Sequence, residues 1–150
     1  MNLLTAFIAI VFIFIAFKLI KYRSNRNKRK EDKFLKSINY TARIPEVKTK
    51  PKSGRRRTKE EIQADSDCYE KKLGDEFRKR AKATMIKAKR VGSTGYIWHS
   101  GGCNDECDRN DGKKFKWDKP PKTGHPGEGV LCKNGYCRCW EEVIITPPRK

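Results

Sequence analysis

The chain is short of several things, and each shortage narrows what it can do. It has no glycine-rich phosphate loop, no paired carboxylates at catalytic spacing and no recognised nuclease pattern. Nucleotide-driven and hydrolytic chemistry therefore lack the residues that would carry them. Histidines number only two. His125 lies among cysteines, the material of thiol catalysis, but no oxyanion-hole donor or orienting third group stands at readable spacing. The reading is accordingly of a non-enzyme. Acidic residues are scarce too: 18 Asp and Glu face 36 Lys and Arg, a net charge of +18. Finally, residues 21–57 hold so few apolar side chains that no core can be built there.

The basic excess is local. Residues 21–90 carry 25 Lys/Arg and 10 Asp/Glu, whereas 91–150 carry 10 and 8. Charge concentrated in this way suits polyanions, either nucleic acid such as DNA or anionic lipid headgroups. A solvated linker is the plain alternative. The candidate contacts are Arg55, Arg56, Arg57, Lys79, Lys82 and Arg90.

What is present begins with residues 3–20, LLTAFIAIVFIFIAFKLI, apolar except for Thr5 and Lys18. As a helix this run measures roughly 27 Å, close to a bilayer core. A cleaved signal peptide would carry its positive charge before the run, but here MN precedes it and KYRSNRNKRK follows. The expectation is a single-pass membrane anchor over 1–20, its N-terminus outside and the rest cytoplasmic by the positive-inside rule. A basic flexible tether is expected over 21–57, where KTKPKSGRRR mixes Pro, Ser and Gly with charge.

At TKEE (58–61) the pattern turns helical, with Thr58 and Glu61 spaced as a capping box. Ile62, Tyr69, Leu73, Phe77, Ala81, Met85 and Ala88 then recur on one face. Lysines and arginines occupy the other face, and Gly92 is a plausible stop, giving an amphipathic basic helix over 58–92. Gly74 weakens its middle by about 1 kcal/mol relative to Ala. Residues 93–146 read as a small module of short strands (YIW at 96–98, KFKW at 114–117, CRCWEEVII at 137–145) and long loops, followed by a tail over 147–150. The expected fold class is thus α+β: a transmembrane helix, one amphipathic helix, then a small Cys-rich domain.

A module of this size needs a cross-link. Five of the six cysteines lie in it, with Cys68 apart in the helix as a half-buried small residue. Cys103/Cys107 and Cys137/Cys139 form two short-range pairs about thirty residues apart, the two-knuckle layout of a structural zinc site. His125 offers a nitrogen ligand, and Cys132 is a spare thiolate. Disulfides and free buried thiols are the rival readings. A cytoplasmic location favours metal, and the opposite orientation would favour disulfides.

Taken together, GYIWHS (95–100), the C-x-x-x-C of 103–107, NDGKKFKWDKPPKTGHPGEG (110–129) and CRCWEEVI (137–144) resemble the C-terminal domain of the phage Mu protein F-like minor head protein family. The resemblance covers about residues 77–145 and rests on the order and spacing of these pieces. It implies a role in head morphogenesis and virion assembly, as a low-copy protein associated with the capsid or portal and in some cases with packaged DNA. It also implies that Cys103, Cys107, His125, Cys137 and Cys139 are the motif's metal positions. Trp98, Asp111, Gly112, Phe115, Pro126 and Gly127 would shape its strand, hairpin and loop. The chain departs from the pattern in two ways. The long helical region before the domain shrinks to one helix, and VLCKNGY stretches the link before Cys-Arg-Cys and brings in Cys132. With the anchor, these features suggest a virus with a lipid component, a prophage remnant, or a membrane protein that reuses the module. The leading expectation is a membrane-anchored structural and interaction protein with a zinc-stapled module that docks a protein partner. The alternatives are a membrane-anchored nucleic-acid-binding protein and, further off, a phage-encoded effector or thiol enzyme.

Overall fold

The computed structural model describes residues 3–41, 43–46, 48–50, 55–132 and 135–145, with side chains described from Ile10 onward. The chain divides into two compact units, one ending at Ser37 and the other beginning at Ile38.

The first unit is a single helix, α1, Leu3–Ser37. No Pro or Gly interrupts it, so the helix runs on through the basic stretch that composition assigned to a tether. Among the described residues no helix is long and apolar enough to cross a membrane. This overturns the single-pass anchor expected over 1–20, and with it the orientation derived from that anchor. The apolar stretch is not a helix of its own: α1 passes without a break into KYRSNRNKRKEDK and ends at Ser37, so it is one part of a longer helix whose second half is strongly charged.

The second unit opens with α2, Lys59–Arg90. Its start is set locally. Thr58 Oγ1 accepts from the Glu61 amide at 3.2 Å, and Glu61 Oε2 accepts from the Thr58 amide at 2.9 Å. The buried Asp65 carboxylate accepts from the amide and hydroxyl of Thr49 and pairs with Arg57. These Thr49 bonds hold its carboxyl below the usual range. Arg55 pairs with Glu61 at 2.7 Å. Much of the described 43–57 segment is therefore tied back to α2 instead of free. Prolines 51, 147 and 148, and with them the tail, lie outside the described residues.

The expected apolar stripe of α2 is only partly the packed one. Ala88 is buried and Met85 packs on the core, but Ile62 is exposed while Ala83 and Ile86 are buried. Gly74, read as a weak point, is buried because Tyr136 presses on it. A Cβ at Gly74 would lie 3.0 Å from that of Tyr136. The Tyr136 ring stacks on Phe77, centroids 5.9 Å apart.

Three short strands follow: β1, Gly95–His99; β2, Lys114–Lys116; and β3, Trp140–Ile144. They form an antiparallel sheet in the order β2-β1-β3. The alternation of β1 decides the layering. Tyr96 and Trp98 are fully buried, with Phe115 and Val143 packed against the same cluster. Ile97 and His99 turn to the other face, where His99 stacks on Trp140 at 4.0 Å and bonds Glu142 at 2.9 Å. Between β1 and β2 lies a one-turn helix, α3, Asp105–Arg109. The α+β assignment thus holds, without the membrane helix.

Candidate metal centre

Two connections, β1–β2 and β2–β3, deliver five cysteines to one place. Asn104 caps α3, its side-chain oxygen accepting from the Cys107 amide at 2.8 Å, which turns Cys107 inward. Its amide nitrogen reaches the other way, to the Leu131 carbonyl and the Cys132 sulfur, each at 3.4 Å. Asp111 Oδ1 accepts from the Ser100 amide at 2.8 Å, and Gly112 donates to the Trp98 carbonyl at 2.8 Å. These two bonds close the loop that carries Cys103 and Cys107. Cys137 and Cys139 sit just before β3, not inside it as the alternation of CRCWEEVII suggested. The Gly101 backbone passes so close to Arg138 that a Cβ there would lie 2.7 Å from the Arg138 carbonyl. Only glycine lets the two knuckles meet.

Two sulfur triads result, Cys103/Cys132/Cys137 and Cys107/Cys137/Cys139, each with its ligand atoms within 4.8 Å of one another. Cys107, Cys137 and Cys139 are buried, while Cys103 and Cys132 are half-buried. The Cys107 and Cys137 sulfurs stand 3.8 Å apart. A tetrahedral ion with metal–sulfur bonds of about 2.3 Å sets its sulfurs about 3.8 Å apart, so this pair already has the spacing of a thiolate site.

The surroundings treat the sulfurs as acceptors. The Arg138 amide donates to Cys103 at 3.0 Å, Gly101 to Cys139 at 3.3 Å, and Cys139 to Cys137 at 3.4 Å. Donors aimed at sulfur favour the thiolate, the form that binds metal. Burial works against them in the apo cluster. It raises the Cys107, Cys137 and Cys132 thiols, and Cys139 is pushed up to about 12. At Cys103 burial also opposes ionisation, but the Arg138 amide and the neighbouring thiols outweigh it and hold the group below the usual thiol value. A bound cation reverses the balance for the rest, since a coordinating thiol is deprotonated outright. The cluster can hold a metal ion.

His125 is not part of it. Its Nδ1 lies 3.1 Å from the Tyr96 hydroxyl, its ring rests near Tyr96 and Trp117, and its amide donates to Glu128 at 2.7 Å. Cys132 takes the place the sequence gave to His125. The signal available for that exchange was slight: a fifth thiol five positions before Cys137. Of the other motif positions, Trp98 is fully buried, Phe115 packs against Tyr96 and Trp98, and Pro126 and Gly127 are buried where the loop meets Phe77 and Ala81. Cys68 is exposed, not half-buried. Of the basic candidates, Arg55, Arg57 and Lys79 each pair with a carboxylate, of Glu61, Asp65 and Glu76. Arg56 and Lys82 are exposed, as is Arg90 at the end of α2.

No family model matches the chain, and no curated protein or solved structure does either. Fold and site together define a small α+β protein with a metal-capable cysteine cluster.

Proposed function

We propose that the cluster is a structural zinc site and that it staples a protein-docking module with no catalytic role of its own. The convergence of five cysteine sulfurs from the two connections between strands carries this reading. A module with a three-stranded sheet and few buried side chains gains from such a staple what a larger core would otherwise supply. Zinc suits the donor set because it accepts four thiolates, tetrahedrally, without redox chemistry. Burial of Cys107, Cys137 and Cys139 withdraws most of the sulfurs from an approaching substrate, which supports a structural role. The resemblance of the motif order to that of Mu F-like minor head proteins suggests the class of partner, a capsid or portal subunit. For binding of DNA or anionic lipid, the carboxylates on Arg55, Arg57 and Lys79 reduce the charge open to phosphate.

The test is metal content. The full chain, purified under reducing conditions, should hold about one zinc per molecule, and chelation should abolish its near-ultraviolet aromatic signal. Less than a few tenths of an equivalent, with that signal unchanged on chelation, would sink the zinc reading.

A further inference from the structure

A single tetrahedral ion uses four sulfurs, and this cluster has five. Whichever four it takes, one thiol is left beside the ligands. The arrangement of the sulfurs suggests a use for all of them. They fall into two triads, one wholly buried and one at the rim, and the two share a single member, Cys137. Two tetrahedral ions joined through one sulfur would need seven ligands. Two three-coordinate ions joined in that way need five, the number present.

Three-coordination by thiolate is the habit of copper(I), a soft monovalent cation that thiolates select. We infer that the same cluster, freed of zinc, can take up two copper(I) ions in its place, one in the Cys107/Cys137/Cys139 triad, a second in Cys103/Cys132/Cys137, with the Cys137 sulfur bridging them. The inference rests on reading the cluster as a metal centre and goes beyond it in the class and number of ions. The N–H donors support it independently. Four sulfurs accept one: Cys103 from Arg138, Cys132 from the Asn104 side chain, Cys137 from Cys139, and Cys139 from Gly101. Five thiolates around two monovalent ions keep a net negative charge, and these dipoles are aimed at it. The two positions also differ in access. The buried triad is enclosed beside Trp98 and Trp117 in the core cluster, while the rim triad has two half-buried members through which an ion can enter and leave. The rim ion should therefore be the more readily exchanged.

The experiment uses the full chain carrying Cys68→Ser, which removes the exposed outlying thiol. The reduced apo-protein is loaded anaerobically with the acetonitrile complex of copper(I). Bathocuproine disulfonate is then added as a competing chelator to strip loosely held metal. Two retained copper ions per chain are expected, falling to one when Cys132→Ser is added. One retained ion in the parent, or two in the Cys132→Ser variant, overturns the inference. If copper is stripped completely from a chain that holds one zinc, the copper site fails and the zinc staple stands. If neither metal is held, both readings fall together. Should Cys132→Ser prevent folding, X-ray absorption on the loaded parent decides the matter. Three sulfur neighbours and a copper neighbour are expected around each ion, and absence of copper–copper scattering overturns the bridge.

Discussion

Helix α2 and the cysteine module belong to one compact unit, yet they are specified in opposite ways. Helix α2 is organised by neighbours in sequence: a capping box at Thr58 and Glu61, and i,i+3 pairs such as Asp75–Arg78 and Glu76–Lys79. The module has strands of three to five residues and depends on contacts between distant segments. Trp98 meets Phe115, Tyr96 meets Trp117 and His125, and Cys107 meets Cys137. Local rules build a helix that tolerates change one residue at a time. A small core held by a few large aromatics and a sulfur cluster has no such redundancy.

The largest effect that tests this contrast is expected from Trp98→Ala. Trp98 is 0% exposed at the centre of β1, against the cluster that contains Cys107, Cys137 and Cys139. Its truncation should cost about 3–5 kcal/mol in chemical denaturation, and retained zinc should fall with it while much of the α2 far-ultraviolet signal persists. A cost below about 1 kcal/mol would break the contrast, because the sulfurs alone would then be holding the module.

The same division explains what could be read in advance. The capping box, the turn at Asp111–Gly112 and the strand around Trp98 follow from short-range chemistry, and each was legible in its own few residues. The exchange of His125 for Cys132 was not. It depends on which loop the fold lays beside Asn104 and which it lays beside Tyr96, a matter of tertiary packing. The short α3 was hidden among turn formers, although Asn104 followed by Asp105 and Glu106 is a helix start. The membrane anchor was read from hydropathy over 3–20 alone, whereas α1 is one continuous helix to Ser37 with a strongly charged second half, and among the described residues no helix is long and apolar enough to cross a membrane.

A smaller and confined effect should follow Thr58→Ala. The hydroxyl accepts from the Glu61 amide, a bond confined to the first turn of α2. Loss of the cap should cost about 1 kcal/mol, seen as faster hydrogen exchange in the first turn of α2. Zinc content and the aromatic signal should not change. A loss of metal in this variant would mean that α2 and the module are less separable than their construction implies.

The smallest effect expected is the one that tells the two candidate ligands apart. Burial, aided by Lys89 and opposed by Glu128, holds the His125 imidazole below its ordinary value of 6.5. The folded chain therefore takes up this proton less readily than the unfolded chain does. Above the unfolded value both forms are neutral, and the stabilisation is fully present. As the pH falls, the unfolded chain protonates first and stability declines, levelling off once the pH has passed the lower folded value. Urea midpoints measured between about pH 5 and 8 should show this decline. In His125→Gln the histidine's share should vanish, leaving the acid sensitivity of the thiolate cluster and the opposing contribution of Glu141, whose carboxyl burial pushes up to about 7 so that it gains stability as the pH falls. The variant should keep its zinc at neutral pH, because Nδ1 faces the Tyr96 hydroxyl at 3.1 Å and His125 belongs to neither sulfur triad. Loss of zinc from His125→Gln with folding intact would return the imidazole to the metal and displace Cys132. An unchanged pH slope would show that the imidazole is not shielded from solvent in the folded chain.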